Sequence, residues 1–240
     1  SATHQLFANL FLVSNSVALV SPVFISQFWR AGDLNSVHQL TFKSAKIGLS
    51  IMSAGIAFMI FSGKELISLW LGPENFIGLP VLLIFCCTYL LEIQHSTVAL
   101  SARATDFEVF TIAALTAGFL NILFTASLVN RLGLIGVALG TILAQLLTNN
   151  WYQFYISIKR LKINPKVYFN EVTRLWVSIF IIISTLAYSC IYLLNMFKFD
   201  FLIIRISLLA IISVLVLGFA AWNFIFEEAQ KDQLKAMMNF

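Results

Sequence analysis

The stretch GLPVLLIFCCTYLLEIQHSTVAL, residues 78–100, begins with a long uncharged run and ends with Glu92, Gln94 and His95. Apolar runs of about 18 residues or more are typical of membrane-spanning helices. At 1.5 Å per residue, such a helix crosses a hydrocarbon core of about 30 Å. The stretch therefore predicts a transmembrane helix that carries a carboxylate and an imidazole where water is scarce.

Composition extends this interpretation to the whole chain. Of its 240 residues, 60% are hydrophobic and 11% are charged, whereas soluble domains carry about 25% charged residues. A chain with so little charge cannot cover a water-facing surface, and the alternating pattern of a membrane β-barrel is missing. We predict an all-α, polytopic membrane bundle with about seven spans, at residues 6–28, 42–62, 78–100, 107–129, 132–158, 174–194 and 200–226.

The distribution of basic residues predicts the orientation. If the connections alternate between sides, Lys64, Arg131 and Lys198, with Arg205 nearby, share one side. The other side holds Arg30, Lys43, Lys46, Arg103, Lys159, Arg160, Lys162, Lys166, Arg174, Lys231 and Lys235. The richer side is cytoplasmic by the positive-inside rule. The N-terminus is then outside, so we expect an earlier portion of a longer protein to precede it. The excess of basic residues reflects topology, and we expect no nucleic-acid partner.

Two local features qualify the span pattern. Pro22 removes a backbone donor inside the first span and predicts a kink. After the second span, GKELISLWLGPENF (residues 63–76) brings Ile67, Trp70 and Leu71 onto one helical face. Because Trp commonly anchors a helix at headgroup depth, we interpret this segment as an interfacial helix on the outer surface.

Small residues in the fourth and fifth spans suggest close helix packing. The two spans are joined by a tight turn, NRLG (residues 130–133), and Gly136 and Gly140 form a GxxxG motif that Gly133 precedes. Gly118 continues the small-residue pattern in the fourth span. Small residues let helices approach closely in lipid. We therefore assign Gly118, Gly133, Gly136 and Gly140 to helix packing, with a hinge for helix bending as the alternative.

Polar residues inside the spans are the candidate functional residues. Residues three and four apart share a helical face, so Glu92 and His95 form one stripe of the third span that ends near Arg103. Polar residues inside a membrane usually face a bundle interior or a wet cavity and mark ligand or ion pathways. We predict a substrate or ion pathway formed by Glu92, His95, Arg103, Asn121, Gln145 and Asn149.

Structural alternatives for these residues stay open. Glu92 can be protonated, or it can be hydrogen-bonded to His95 and serve only to hold helices together. It can also be solvated near the cytoplasmic face. Asn121, Gln145 and Asn149 can serve as interhelical hydrogen bonds. The scattered cysteines and histidines have no spacing that suggests a disulfide or a metal site.

Three segments resemble a known family when taken in order. VALVSPVFISQFWRAGD (17–33), LWLGPENF (69–76) and NILFTASLVNRLGLIGVALGT (121–141) resemble the second half of polysaccharide transporters of the O-antigen flippase family. This family belongs to the multidrug/oligosaccharidyl-lipid/polysaccharide exporter superfamily. The resemblance covers residues 1–160. Residues 174–226 are then two additional spans, as in longer members, and residues 227–240 are a cytoplasmic tail.

The resemblance implies a two-lobed bundle of which this chain is roughly the C-terminal half, around a central polar cavity. It implies that the protein moves undecaprenyl-pyrophosphate-linked oligosaccharide across the bacterial inner membrane by alternating access. The implied partners are this lipid-linked oligosaccharide, membrane lipids, the N-terminal lobe and other polysaccharide-assembly proteins. The resemblance implies no cofactor, but it implies that transport can be coupled to H+ or Na+. Of the residues in this chain, Arg103 is placed to attract the pyrophosphate and Glu92 to couple to the ion. Because the predicted cavity has so few cationic residues, the other lobe is expected to complete the pyrophosphate site.

Three rival functions make different demands on the same residues. A multidrug or organic-cation antiporter of the same superfamily would use Glu92 as its cation and proton site. A seven-span receptor fits the span count, but no cysteine sits where an outer-loop disulfide would need it. A membrane enzyme would be expected to show a long outer loop or a His/Asp/Arg constellation at one interface. The connectors here are short and hold no such set, so we expect no enzyme.

Overall fold

The computed structural model describes residues 2–197, 201–228 and 230–232. Within these ranges the chain is helical and contains no strand. Seven helical segments of the described chain are long and apolar enough to cross a membrane. The predicted all-α, multi-pass membrane bundle is confirmed at this level. Residues 198–200, where the seventh span was predicted to start, and most of the predicted tail lie outside the described residues.

The helices follow one another with short connections. They are α1 (Ala2–Val20), α2 (Pro22–Arg30), α3 (Leu34–Leu71), α4 (Leu79–Arg103), α5 (Thr111–Leu132), α6 (Leu134–Leu147), α7 (Asn149–Arg160), α8 (Pro165–Tyr168), α9 (Arg174–Met196) and α10 (Leu202–Ala220). A 3₁₀ turn covers Pro73–Asn75, and π-helical turns cover Phe169–Thr173 and Ala221–Ile225. Helices α1 and α2 form the first span, α6 and α7 the fifth, and α8 and α9 the sixth.

The break between α1 and α2 confirms the kink predicted at Pro22. Proline has no backbone N–H to donate to the carbonyl of Ala18 four residues earlier. The hydroxyl of Ser21 donates to that carbonyl instead, at 3.0 Å. The buried backbone oxygen is therefore satisfied although the helix is interrupted.

The second span differs from the prediction. Residues 63–71 do not form a separate interfacial helix but continue α3, which runs unbroken for 38 residues. At 1.5 Å per residue this helix is about 57 Å long, well beyond a hydrocarbon core of about 30 Å. Ile67 is fully buried, because it packs into the bundle rather than onto a membrane surface. The helix ends at Gly72, whose φ of 95° suits glycine.

Helix α3 forms the centre of the bundle. It packs against α1, α4, α9 and α10, and one core cluster includes its buried Leu49 and Met52. A second cluster joins Ala54 and Ala57 of α3 to Ile179 and Ile183 of α9. The two additional spans are therefore packed directly on the second span.

Connections that carry predicted basic residues come together at one end of the bundle. Arg30 lies 3.9 Å from Asp106 in the α4–α5 connection, and the ring Nε2 of His38 lies 2.7 Å from the carbonyl oxygen of Leu161 after α7. Lys46 pairs with Glu171 before α9. We call this the basic end; its assignment to the cytoplasm stays a prediction.

Candidate functional site

A row of amide and hydroxyl side chains links α5 to α6. The amide oxygen of Asn121 accepts hydrogen bonds from the hydroxyls of Thr125 at 3.1 Å and Thr141 at 3.3 Å. Thr125 belongs to α5 and Thr141 to α6, so one side chain ties the two helices together. A neutral hydrogen-bonded pair of this kind is a common way to hold helices together in lipid.

The row continues from α6 into α7. The amide nitrogen of Asn149 donates to the side-chain oxygen of Gln145 at 3.0 Å, and that of Gln153 donates to Asn149 at 2.9 Å. Thr141, Gln145, Asn149 and Gln153 are spaced four residues apart, so they follow one face of the fifth span. The row thus brings together three of the predicted pathway residues: Asn121, Gln145 and Asn149.

A cavity of about 220 Å³ lies against this row, between α5 and the α6–α7 span. Its lining consists of small or polar residues: Ala114, Ala117, Gly118, Asn121, Thr141, Ala144, Gln145 and Asn149. None of these described lining residues is charged. The amide nitrogens of Asn121 and Gln145 have no acceptor among the described residues. Two hydrogen-bond donors are therefore free at the cavity.

The fifth span is discontinuous beside the cavity. Thr148 takes φ −127° and ψ −86°, which ends α6 and begins α7. Its hydroxyl donates to the carbonyl of Ala144 at 2.6 Å, and its N–H donates to the carbonyl of Gln145 at 3.2 Å. Broken transmembrane helices are tolerated where they line a cavity, and in transporters they often form the substrate site.

The glycines of the hairpin divide into two groups. A Cβ on Gly136 would lie 2.5 Å from the carbonyl oxygen of Leu128, and one on Gly140 would lie 2.8 Å from the backbone nitrogen of Thr125. Both positions are helix contacts that only glycine permits.

Gly118 and Gly133 make no comparable close contact within the described chain, so their assignment to helix packing stays a prediction. Nothing lies within 4 Å of a Cβ built on either residue. Gly118 faces the cavity rather than a neighbouring helix. Gly133 has φ 56° and forms the turn between α5 and α6, so its lack of a side chain serves the backbone conformation.

Glu92 and His95 lie apart from the cavity lining. The imidazole of His95 is 3% exposed, and its Nδ1 lies 2.9 Å from the carbonyl oxygen of Leu91. A carbonyl only accepts, so Nδ1 carries the proton and Nε2 points to the Glu92 carboxylate at 3.6 Å. The Glu92 side chain is 30% exposed. The predicted neighbours on the third span thus lie side by side along one helix, at a separation longer than a hydrogen bond.

Arg103 is held at the surface of the basic end. Its Nε lies 3.8 Å from the carboxylate of Glu108, and its guanidinium lies over the Phe110 ring at 5.0 Å. Both side chains of the ion pair are largely exposed. The structure therefore places Arg103 with the α4–α5 connection and not with Asn121, Gln145 and Asn149.

Sequence reasoning missed two groups of residues. Gln153 extends the polar row, and the four-residue spacing from Thr141 onward could have identified it. Arg160 was counted only for topology. Its Nε donates to the hydroxyl of Thr105 at 2.8 Å and its Nη2 to the Thr105 carbonyl at 2.6 Å. The guanidinium also lies over the rings of Trp29 at 4.9 Å and Phe107 at 5.2 Å. Nothing in the sequence alone marks this three-way contact.

Comparison with known protein families, with curated proteins and with solved structures finds no match to this chain. The residues and their geometry, together with the resemblance of the three sequence segments, are what indicate the function.

Proposed function

We propose that this chain is roughly half of a membrane transporter that moves a lipid-linked oligosaccharide across the bacterial inner membrane by alternating access. The polar row of α5 to α7 lies along the glycan pathway, and the lipid portion travels beside it. The N-terminal lobe supplies the rest of the pathway and the cations that neutralise pyrophosphate. The N-terminus of the chain is outside and the C-terminus is cytoplasmic.

The observation that carries this proposal is the uncharged polar cavity beside a broken span. Sugar hydroxyls both donate and accept hydrogen bonds. Asn121 and Gln145 offer free amide donors there, and the hydroxyl of Thr141 adds a group that can also accept. Neutral groups bind a glycan without holding it so tightly that it cannot leave. A cavity of about 220 Å³ accommodates about one sugar residue in this lobe.

The same cavity argues against the organic-cation antiporter. A cation site inside a membrane needs a carboxylate or an aromatic cage to compensate the ligand charge. The lining residues in the described chain include neither. Glu92, the carboxylate assigned to such a function, contacts His95 instead. Coupling to H+ or Na+ through Glu92 stays a prediction.

Replacing the amides tests the proposal. In the full-length protein, Asn121→Leu and Gln145→Leu replace each amide by an aliphatic side chain and so remove the hydrogen-bonding groups. Each is expected to slow translocation about three- to tenfold, which corresponds to one lost hydrogen bond. The readouts are surface glycan and the lipid-linked repeat unit that accumulates on the inner leaflet. Ser127→Ala, at an exposed hydroxyl of α5 that bonds only to a backbone carbonyl, is the matched control and is expected to behave as wild type.

Two outcomes would contradict the proposal. Normal surface glycan in both Leu variants, at expression equal to that of the control, would remove the row from the pathway. A change in sensitivity to cationic drugs with normal glycan would favour the antiporter. Glu92→Ala and Arg103→Ala test two of the other assigned pathway residues with the same readouts.

A further inference from the structure

A second cavity lies at the basic end and is independent of the proposed pathway. It is a groove of about 660 Å³ between α3 and the segments that flank α9 and α10. Helix α3 contributes Phe42, Lys43 and Lys46 to its wall. Glu171 comes from the segment before α9, and Glu227 from the segment after α10. Three different spans therefore end at one groove.

Two π-helical turns contribute residues to the walls of this groove. Phe169–Thr173 carries Glu171, and Ala221–Ile225 carries Phe224, which also lines the groove. π-helical turns are rare and are found frequently at functional sites. Two such turns beside one cavity, outside the polar row, indicate a site with its own ligand.

The charges in the groove are balanced. The ammonium of Lys46 lies 2.8 Å from the carboxylate of Glu171. That of Lys43 lies 3.1 Å from Glu227, and it also donates to the side-chain oxygen of Gln230 at 2.9 Å. The lysine side chains are 18% and 24% exposed, whereas the two carboxylates are more than half exposed. Two cations are thus held inside the groove, and the anions that face them remain accessible to water.

These pairs can exchange partners at low cost. Partly exposed ion pairs contribute little net stability. A phosphate between Lys43 and Lys46, one helical turn apart, would replace carboxylates as the partner of both ammonium groups. The displaced carboxylates would then need a cation. A ligand that carries a phosphate and an ammonium supplies both at once.

We propose that this groove binds the headgroup of a zwitterionic phospholipid with a primary ammonium group, such as phosphatidylethanolamine. Its phosphate contacts Lys43 and Lys46, and its ammonium contacts Glu171 and Glu227. The acyl chains follow Phe42 and Phe224 toward the apolar surfaces of the spans. A lipid rather than a soluble phosphate fits because the groove sits where apolar spans end. An anionic headgroup fits less well because it would bring no cation for the carboxylates.

Thermal unfolding of the purified full chain in detergent tests the proposal. Saturating phosphatidylethanolamine is expected to raise Tm by about 5 °C. Phosphatidylglycerol is expected to raise it less. Glycerophosphoethanolamine, the soluble headgroup, and inorganic phosphate are expected to have no effect. The double variant Lys43→Gln/Lys46→Gln is expected to lose the response, and Lys159→Gln, at an exposed lysine of α7, is expected to keep it.

A second variant keeps the test decisive if the double variant does not fold. Glu171→Gln removes one carboxylate and leaves Lys46 free for an anion, so its preference is expected to shift from phosphatidylethanolamine toward phosphatidylglycerol. Equal stabilisation of the wild type by both lipids would overturn the proposal. Stabilisation by the soluble headgroup alone, or an unchanged lipid preference in Glu171→Gln, would overturn it as well.

Discussion

Helices α3 and α5 are both membrane spans but differ sharply in how much of them the chain covers. In an apolar 18-residue stretch of α3, 61% of the residues are buried, whereas only 11% are buried in the corresponding stretch of α5. Helix α3 has neighbours on all sides, but α5 packs mainly on α6, and Ala117 is its one buried residue in the described chain. The second span is therefore a scaffold, and the fourth lies at the edge of the bundle.

The polar row lies on the edge helix and not on the scaffold. The outer face of α5 is apolar, with Ile112, Leu115 and Ile122 more than two-thirds exposed, as expected for contact with lipid. Its other face carries Asn121 and Thr125. The amide of Asn121 also borders the cavity, and lipid in that cavity would leave the amide nitrogen without a partner at a high cost, so the cavity needs a polar occupant. A second lobe or a hydrated substrate pathway supplies one in the proposed function.

The largest effect is expected where the edge hairpin is held together. Gly140→Leu places a side chain against the backbone of Thr125, which cannot shift without moving α5. We expect a loss of about 3 kcal/mol in the free energy of unfolding, measured by thermal unfolding in detergent. Gly118→Ala is the matched control: its Cβ meets open space, and alanine favours a helix. Equal stability of the two variants would mean that α5 and α6 are not packed as described.

A smaller loss is expected at the contact that joins three spans at the basic end. Arg160→Ala removes two charge-assisted hydrogen bonds to Thr105, which is 1% exposed, and leaves its carbonyl unsatisfied. The expected cost is about 2 kcal/mol. Lys159→Ala, at the exposed neighbour, is expected to cost little. Arg160→Lys should recover only part of the loss because lysine lacks the planar fork. Full recovery by lysine would show that charge alone matters.

Local signals in the sequence predicted much of the fold. The lengths of the apolar runs predicted the spans, and Pro22 predicted the break in the first span. Gly136 and Gly140 indicated the close contact of α5 with α6. The length of α3 could not be predicted in this way. Trp70 is typical of an interfacial anchor and is exposed, but Ile67 on the same predicted face is fully buried within the continuous helix. That burial depends on residues distant in the sequence.

The candidate site was predicted only in part, again because local signals in the sequence do not contain the contacts between distant segments. Helical spacing identified Asn121, Gln145 and Asn149, because their polarity within apolar spans is a local property. It also grouped Glu92 with them, although the structure places Glu92 beside His95 and outside the cavity lining. Which polar stripes face each other depends on helix rotation, and a sequence pattern does not contain that angle.

A modest effect on stability is expected within the polar row. Asn149→Leu removes the hydrogen bonds to Gln145 and Gln153. Both bonds join residues four apart along one span, and side-chain pairs at that spacing contribute about 0.2–0.5 kcal/mol each, so we expect a loss of about 1 kcal/mol or less by thermal unfolding. Tyr155→Phe, on the exposed face of α7, is expected to change nothing. A loss as large as that of Gly140→Leu would indicate that the row is a structural core and not a pathway.

The smallest effect is expected at the starts of the two helices. The carboxylate of Asp33 caps α3 by accepting from the hydroxyl of Ser36 at 2.6 Å and from its N–H at 3.1 Å. The hydrogen bond from the Ser36 hydroxyl and, to a smaller extent, that from the Ser36 backbone N–H lower the pKa of the Asp33 carboxyl below its usual value of 3.8. Phe110, before α5, makes no side-chain cap. Only the start of α3 should therefore respond to acid.

The direction of that response follows from the lowered pKa. A group whose pKa is lower in the folded state stabilises it above the unfolded pKa, and this contribution is lost as the pH falls through the folded pKa. On acidification below about pH 4, amide hydrogen exchange at Ser36 and Val37 should become faster relative to the intrinsic exchange rate at the same pH. In the first turn of α5, the ratio of the observed to the intrinsic exchange rate should stay constant. Asp33→Asn retains an acceptor but does not titrate, so it should abolish the change. An acid response that persists in Asp33→Asn would assign it to another group.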